Sequence, residues 1–307
     1  MTEPADVGAP TLTIGVVGAG TMGAGIAQVC LQAGHDVQLF DVDHAAIERG
    51  RDRIADGLQR LVDKGRLPPD GRARMLAALR DSHSLEGLAE EADIVIEAAL
   101  EDLALKETVF RALGSADPMP DILATNTSAL SVSDIGDASG HADRVVGLHF
   151  FNPAPVMPLI EVVMGDRTSR ATVGRAIKFA RDLGKEPVVS TDSPGFIVNR
   201  VNRPFTLEAL RMLEAGDAGV EQVDAALRAA GYPMGPFELM DLTGIEIGYL
   251  AKKDCYTESG DPKDLPSKSV SALVRRGELG RKAGRGWYDY DESGAKLPRP
   301  TEQVMTP

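Results

Sequence analysis

The sequence of 307 residues is long enough for two domains, each with a core of its own. Its formal charge of -13, with 43% hydrophobic and 26% charged residues, fits a soluble globular protein and argues against nucleic acid or anionic lipid bound over a whole surface. No apolar run approaches the ~20 residues that cross a bilayer, and the opening Met1-Thr2-Glu3-Pro4-Ala5-Asp6 lacks the basic and apolar regions of a secretory signal; the expected location is the cytoplasm, with no membrane partner.

Residues 1 to about 10 read as a frayed tail. The run Thr11 to Val17 suits a buried parallel strand and meets Gly18-Ala19-Gly20-Thr21-Met22-Gly23, after which a helix runs to Gly34. A second strand, Asp36 to Asp41, ends in an acid. Strand, glycine turn, helix and acidic strand end together form the fingerprint of a dinucleotide-binding unit. Gly18 permits the tight turn, Gly20 lets backbone approach a pyrophosphate, Gly23 allows close helix packing, and the helix start offers free N–H groups to the anion. Asp41 accepts hydrogen bonds from ribose hydroxyls and repels a 2′-phosphate, so NAD is favoured over NADP.

Residues 44–80 interrupt the strand–helix alternation with two helical stretches, Ala45 to Lys64 and Pro69 to Leu79. This hairpin carries nine Arg or Lys against five acids, a surplus of +4 in an acidic chain. It reads either as a docking surface for a phosphate-bearing substrate or as a solvated hairpin paired to its own acids. Further strands follow at Asp93 to Leu100, Asp121 to Ser128 and Arg144 to His149, with helices near Leu85 to Glu90 and at Leu103 to Ser115. Ligands of open parallel sheets sit beyond the carboxyl ends of the strands, so Glu101, Asn126, Ser128 and His149 are expected to converge on one cleft.

The stretch His149-Phe150-Phe151-Asn152-Pro153-Ala154-Pro155-Val156-Met157-Pro158 ends one apolar run with an imidazole and turns through three prolines; the next apolar run carries Glu161. Strands ending at His149 and containing Glu161 could join imidazole and carboxylate, the arrangement that fixes a proton-transfer histidine. Strands at 159–164 and 186–190 flank a helix from Ser169 to Gly184. Ser193-Pro194 reads as a helix cap followed by proline, with the domain boundary near Asp192. Beyond it the pattern is helical: Gly195 to Leu213, Val220 to Ala230, Pro236 to Lys252 and Pro266 to Arg276. The first of these has apolar residues around much of its circumference, which suits either a dimer interface or an interior helix. Cys30 and Cys255 give neither a disulfide framework nor a metal site, and both are expected as reduced, buried thiols.

With Gly18 to Gly23, Asn126-Thr127-Ser128, His149 to Pro153, Asp192 to Arg200, Gly231 to Pro236 and Gly280 to Tyr290 in this order, the chain resembles the 3-hydroxyacyl-CoA dehydrogenase family from about Leu12 to Tyr290. The resemblance implies an α/β fold: an N-terminal Rossmann-type doubly wound sheet with a helical-hairpin insertion over 1–192, then an all-helical C-terminal domain over 193–307 for substrate binding and dimerisation. It implies NAD as cofactor and an acyl-CoA as substrate. His149 matches the family's catalytic base and Glu161 its carboxylate partner, while Ser128 and Asn199 match residues bonded near the reacting oxygen. Gly18, Gly20, Met22, Gly23, Asp41, Glu101, Lys106 and Asn126 correspond to cofactor contacts, and Asn152 and Lys64 to substrate contacts, Lys64 on the CoA portion. A homodimer through the C-terminal domain is expected, without metal. The chain departs from the pattern at Ala129, Ala283 and Trp287, where serine, threonine and phenylalanine are usual. Rival readings are a gulonate-type dehydrogenase and a non-catalytic, crystallin-like NADH-binding protein.

Overall fold

The structure is a computed structural model that describes residues 10–262 and 265–305, without the side chains of residues 251, 254, 255, 258, 259 and 305. The expected tail and the Cys255 thiol lie outside the described residues. The chain divides into two compact units, Met1–Val198 and Asn199–Pro307.

The first unit is built on an eight-stranded sheet of order β3-β2-β1-β4-β5-β6-β7-β8. Its centre is β1 (Thr13–Val17), a Thr-Ile-Gly-Val-Val run buried along most of its length because helices cover both faces. α1 (Thr21–Gln32) leads to β2 (Asp36–Phe40), and the insertion follows as α2 (His44–Asp63) and α3 (Pro69–Ala77). In α2, Ile47, Gly50, Ile54, Gly57 and Leu58 are buried at helical spacing, and Asp43 caps its start by accepting from the Ala45 N–H. Gly50 brings α2 onto the glycine-rich turn, since a Cβ there would lie 2.9 Å from the Ala19 carbonyl oxygen. The insertion thus packs beside the expected nucleotide site.

The second insertion helix stops at Ala77 rather than reaching Leu79, because Leu79–Asp81 forms a short edge strand, β3, parallel to β2. Three residues are too few to show a period of two. α4 (Leu85–Glu91), β4 (Ile94–Glu97), α5 (Leu103–Leu113), β5 (Ile122–Thr125), α6 (Val132–Ser139) and β6 (Val145–Phe150) continue the alternation. Then β7 (Leu159–Met164) turns back antiparallel to β6, and α7 (Arg170–Asp182) leads to β8 (Glu186–Thr191), parallel to β7.

α8 (Val198–Ala215) begins on the last residue of the first unit, and the second unit holds the rest of it with α9 (Val220–Ala229), α10 (Pro236–Thr243), α11 (Ile245–Ser259), α12 (Lys268–Arg275) and a terminal α13 (Thr301–Met305). The single helix expected from Pro236 to Lys252 is two, broken at Gly244, whose φ of 101° ends α10. A small antiparallel pair, β9 (Asp289–Tyr290) and β10 (Lys296–Leu297), accompanies the helices. Trp287 is fully buried in the core of this unit, its ring 4.8 Å from that of Phe237.

Candidate active site

The glycine-rich turn has the shape its sequence predicts. Gly18 sits at φ 99°, where a Cβ would come within 2.6 Å of the Ala98 carbonyl oxygen, and a Cβ at Gly23 would overlap the Gly18 carbonyl. At Gly20 a Cβ would meet nothing within 4 Å, so that side is open to an approaching group. α1 begins there with no side-chain cap and no acid in its first turn, leaving its N–H groups for an anion. Met22 is half-buried against the core below. Asp41 accepts from the Ala19 N–H at 2.8 Å and the Asp43 N–H at 3.1 Å, fixing its carboxylate beside the turn. These residues fit a dinucleotide.

Beyond the ends of β4 and β5 lies a polar network. Glu101 Oε1 accepts from Thr127 Oγ1 at 2.7 Å, the Ser128 N–H at 2.8 Å and Ser128 Oγ at 3.1 Å. Burial pushes the Glu101 carboxyl up, but these donors and the Lys106 ammonium outweigh it and hold the group below the usual carboxylate range. Lys106 is 1% exposed; its Nζ lies 2.6 Å from Glu97 Oε1 and 3.5 Å from Glu101 Oε2. Lys106 is thus buried against Glu97 and Glu101, with almost no surface of its own to offer a ligand. Thr125 Oγ1 satisfies the other oxygen of Glu97 at 2.8 Å. Asn126 Oδ1 accepts from the Phe150 N–H at 2.8 Å, tying the end of β5 to the end of β6 next to His149.

His149 and Glu161 are direct partners in the β6–β7 register, so their side chains leave one face as neighbours. His149 Nδ1 lies 2.6 Å from Glu161 Oε2, with the two residues 6% and 1% exposed. A carboxylate only accepts, so Nδ1 is the donor of this bond. Phe151 and Phe196 flank the imidazole, with ring centroids at 4.5 and 5.7 Å. Glu161 Oε1 accepts the N–H groups of Ile197 and Val198, both at 2.9 Å.

That last contact corrects the expected cap at Ser193. Residues 194–197 form a turn, and α8 starts at Val198, with Glu161 from the sheet accepting its first amides. Asp192, the expected domain boundary, accepts from the Ser133 N–H and hydroxyl and from the Ser131 hydroxyl, all in the first unit. Asn199 is the first residue of the second unit and the second of α8. Glu97, Thr127 and the amides of Ile197 and Val198 join these networks without being expected from the sequence. Glu97 closes β4 nine residues before Lys106, which was a legible signal; backbone amides leave none.

A cleft of about 610 Å³ opens between α1, the insertion and the Asn152–Val156 turn. Its walls carry Arg53, Arg60, Lys64 and Arg66 against one acid, Asp56, and Asn152 lines the same space. Arg49, Arg51 and Arg74 instead pair with Asp43, Asp81 and Asp70. The basic surplus of the insertion is thus divided between surface ion pairs and the cleft. Among the described residues, no cluster of His, Cys, Asp or Glu could hold a metal ion, and no helix is long and apolar enough to cross a membrane.

Residues 13–193 match the 3-hydroxyacyl-CoA dehydrogenase NAD-binding domain, and residues 195–290 match the C-terminal domain of the same family. The chain belongs to the 3-hydroxyacyl-CoA dehydrogenase family. It is 37% identical over 282 residues to 3-hydroxybutyryl-CoA dehydrogenase of Clostridioides difficile, covering 92% of this chain and 100% of that one. To 3-hydroxyadipyl-CoA dehydrogenase of Escherichia coli it is 43% identical over 280 residues, 91% of this chain and 59% of that longer protein. The crystal structure of (S)-3-hydroxybutyryl-CoA dehydrogenase from Ralstonia eutropha superposes with a TM-score of 0.83 at 39% identity, covering 92% of this chain and all of that one. This 3-hydroxyacyl-CoA dehydrogenase is an oxidoreductase with NAD as cofactor, as the resemblance implied.

Proposed function

We propose that the enzyme interconverts (S)-3-hydroxybutyryl-CoA and acetoacetyl-CoA, with His149 as the proton-transfer residue and Glu161 as its partner. Bound NAD supplies the hydride acceptor. His149 Nε2 takes the proton of the 3-hydroxyl during oxidation, and the Glu161 carboxylate balances the imidazolium. In reduction the same imidazolium returns the proton to the developing alkoxide. Ser128 and Asn199 hold the substrate oxygen, in keeping with the family's pattern, and Glu101 orients Ser128 through the hydroxyl contact at 3.1 Å. Asp41, Asn126 and the glycine turn serve the nucleotide. The cations of the cleft, Lys64 among them, receive the phosphates of CoA, and Asn152 contributes from the opposite wall.

The observation that carries this reading is the buried imidazole–carboxylate pair at 2.6 Å, next to the strand ends of a nucleotide-binding sheet. We also propose that the enzyme is a homodimer formed through its second unit; exposed Leu242, Ile247 and Leu250 around the α10–α11 break support this reading. The decisive experiment follows NADH oxidation with acetoacetyl-CoA, longer 3-ketoacyl-CoA esters, 3-ketoadipyl-CoA and dehydrogulonate. The highest kcat/KM is expected with acetoacetyl-CoA. Preference for the adipyl ester would move the substrate, preference for dehydrogulonate would reject the acyl-CoA reading, and no turnover with any of them would leave a nucleotide-binding protein.

A further inference from the structure

Glu161 is 1% exposed, and a buried carboxylate is tolerated only where donors replace water. One oxygen faces His149. The other accepts two backbone amides, those of Ile197 and Val198, at the start of an 18-residue helix whose first N–H groups have no partner inside the helix. These amides reach Glu161 because the chain turns through Gly195, at φ 78°, and Phe196, at φ 47°. Phe196 is the one non-glycine residue with positive φ among the described residues, a conformation that side chains disfavour and that surrounding structure must impose. Its ring is 3% exposed and meets the His149 imidazole edge-on.

We propose that residues 195–198 are a positioning segment for proton transfer. The strained Phe196 turn aims two amides at Glu161, which locks the carboxylate, and the same residue's ring closes one side of the imidazole. Glu161 then cannot rotate away from His149, and the imidazole keeps one orientation through the catalytic cycle. The inference rests on the reading of His149 as the proton-transfer residue.

The amide of Val198 can be deleted where a helix tolerates it, because proline fits the first helical position. Val198→Pro removes one donor, and Val198→Ala keeps it. The alanine variant is expected within about twofold of the parent, and the proline variant to lose about tenfold in kcat at unchanged KM for acetoacetyl-CoA and NADH, the size of one charge-assisted hydrogen bond. Parental kcat in Val198→Pro, or an equal loss in Val198→Ala, overturns the proposal. Should the proline variant fail to fold, hydrogen exchange in the isosteric Glu161→Gln protein reads the same bonds. The Ile197 and Val198 amides are expected to exchange about fivefold faster than in the parent, since a neutral acceptor binds them more weakly. Unchanged exchange at both amides overturns the proposal. Near-parental turnover in His149→Gln would instead remove the underlying base assignment and leave the exchange result standing.

Discussion

Each of the two units buries carboxylates against backbone amides, and the contrast between them separates chemistry from architecture. In the second unit Asp224 accepts the N–H groups of Phe237 and Glu238 and the Tyr288 hydroxyl; Asp241 accepts those of Trp287 and Tyr288 and the Tyr290 hydroxyl. Both are at most 1% exposed and neither faces a cation in these contacts. Burial pushes the carboxyl of Asp224 up, and that of Asp241 up to about 6. They are joints: Asp224 anchors the start of α10, and Asp241 fastens the segment of Trp287 and Tyr288 that completes the core. Glu161 uses the same amide-accepting device at the start of α8, but its second oxygen holds a histidine through Nδ1. The proposed acid–base role of Glu161 rests on this difference: its carboxylate is shared with a titratable partner, and those of Asp224 and Asp241 are not.

The sharpest way to break this contrast is to remove the partner. His149→Gln is expected to lower kcat by roughly 10³-fold or more while NADH binding is kept, and Glu161→Gln by roughly 10²-fold, in the range of a lost general base and its orienting group. Steady-state assays and fluorescence titration of NADH check both, and near-normal turnover in the histidine variant would reduce the pair to another joint.

Charge reversal in the basic cleft probes the substrate side of the same unit. Lys64→Glu is expected to raise KM for acetoacetyl-CoA about tenfold at low salt with kcat held, and the gap should narrow as salt is added. An unchanged KM and salt dependence would assign Lys64 to the solvated surface.

The joints predict a pH effect of defined sign. Unfolded Asp241 loses its proton near 3.8 and the folded group near 6, so folding takes up a proton in that window. Its contribution to stability is complete below about pH 4 and lost as pH rises through about 6, by at most about 3 kcal/mol. Glu278 runs the other way: burial raises its carboxyl, but Arg276 and Arg299 outweigh this and hold it low, so its contribution is lost as pH falls. Comparing thermal midpoints of Asp241→Asn and the parent from about pH 4 to 7 isolates the first effect. Parallel curves would show that Asp241 stays ionised.

The smallest expected effect is at Trp287, whose indole Nε1 is buried without a hydrogen-bond partner among the described residues. Trp287→Phe removes that orphan donor, worth about 1–3 kcal/mol, and loses a comparable amount of packing, so stability is expected to stay within about 1 kcal/mol. A denaturant melt showing a loss above about 3 kcal/mol would reveal an unseen partner for the indole.

The elements with strong local chemistry were readable from the chain. The glycine turn, the acidic end of β2, the helices of the basic insertion and the His149 and Glu161 strands each carry a composition or period that narrows the local conformation. What failed was short or non-local. The three-residue β3 and the Gly244 break lie below the length at which a period shows, and Ser193-Pro194 looked like a cap because the competing acceptor, Glu161, is more than thirty residues away in sequence.

By itself the sequence determined a doubly wound nucleotide-binding sheet with a basic insertion and a helical unit after it, because periodicity and glycine placement act over a few residues. Only the tertiary structure decided that His149 and Glu161 are register partners, that Lys106 is buried against Glu97 and Glu101, and that Glu161 accepts the amides of Ile197 and Val198. Backbone N–H groups are the same at every residue, so no sequence marks which of them a distant carboxylate will accept.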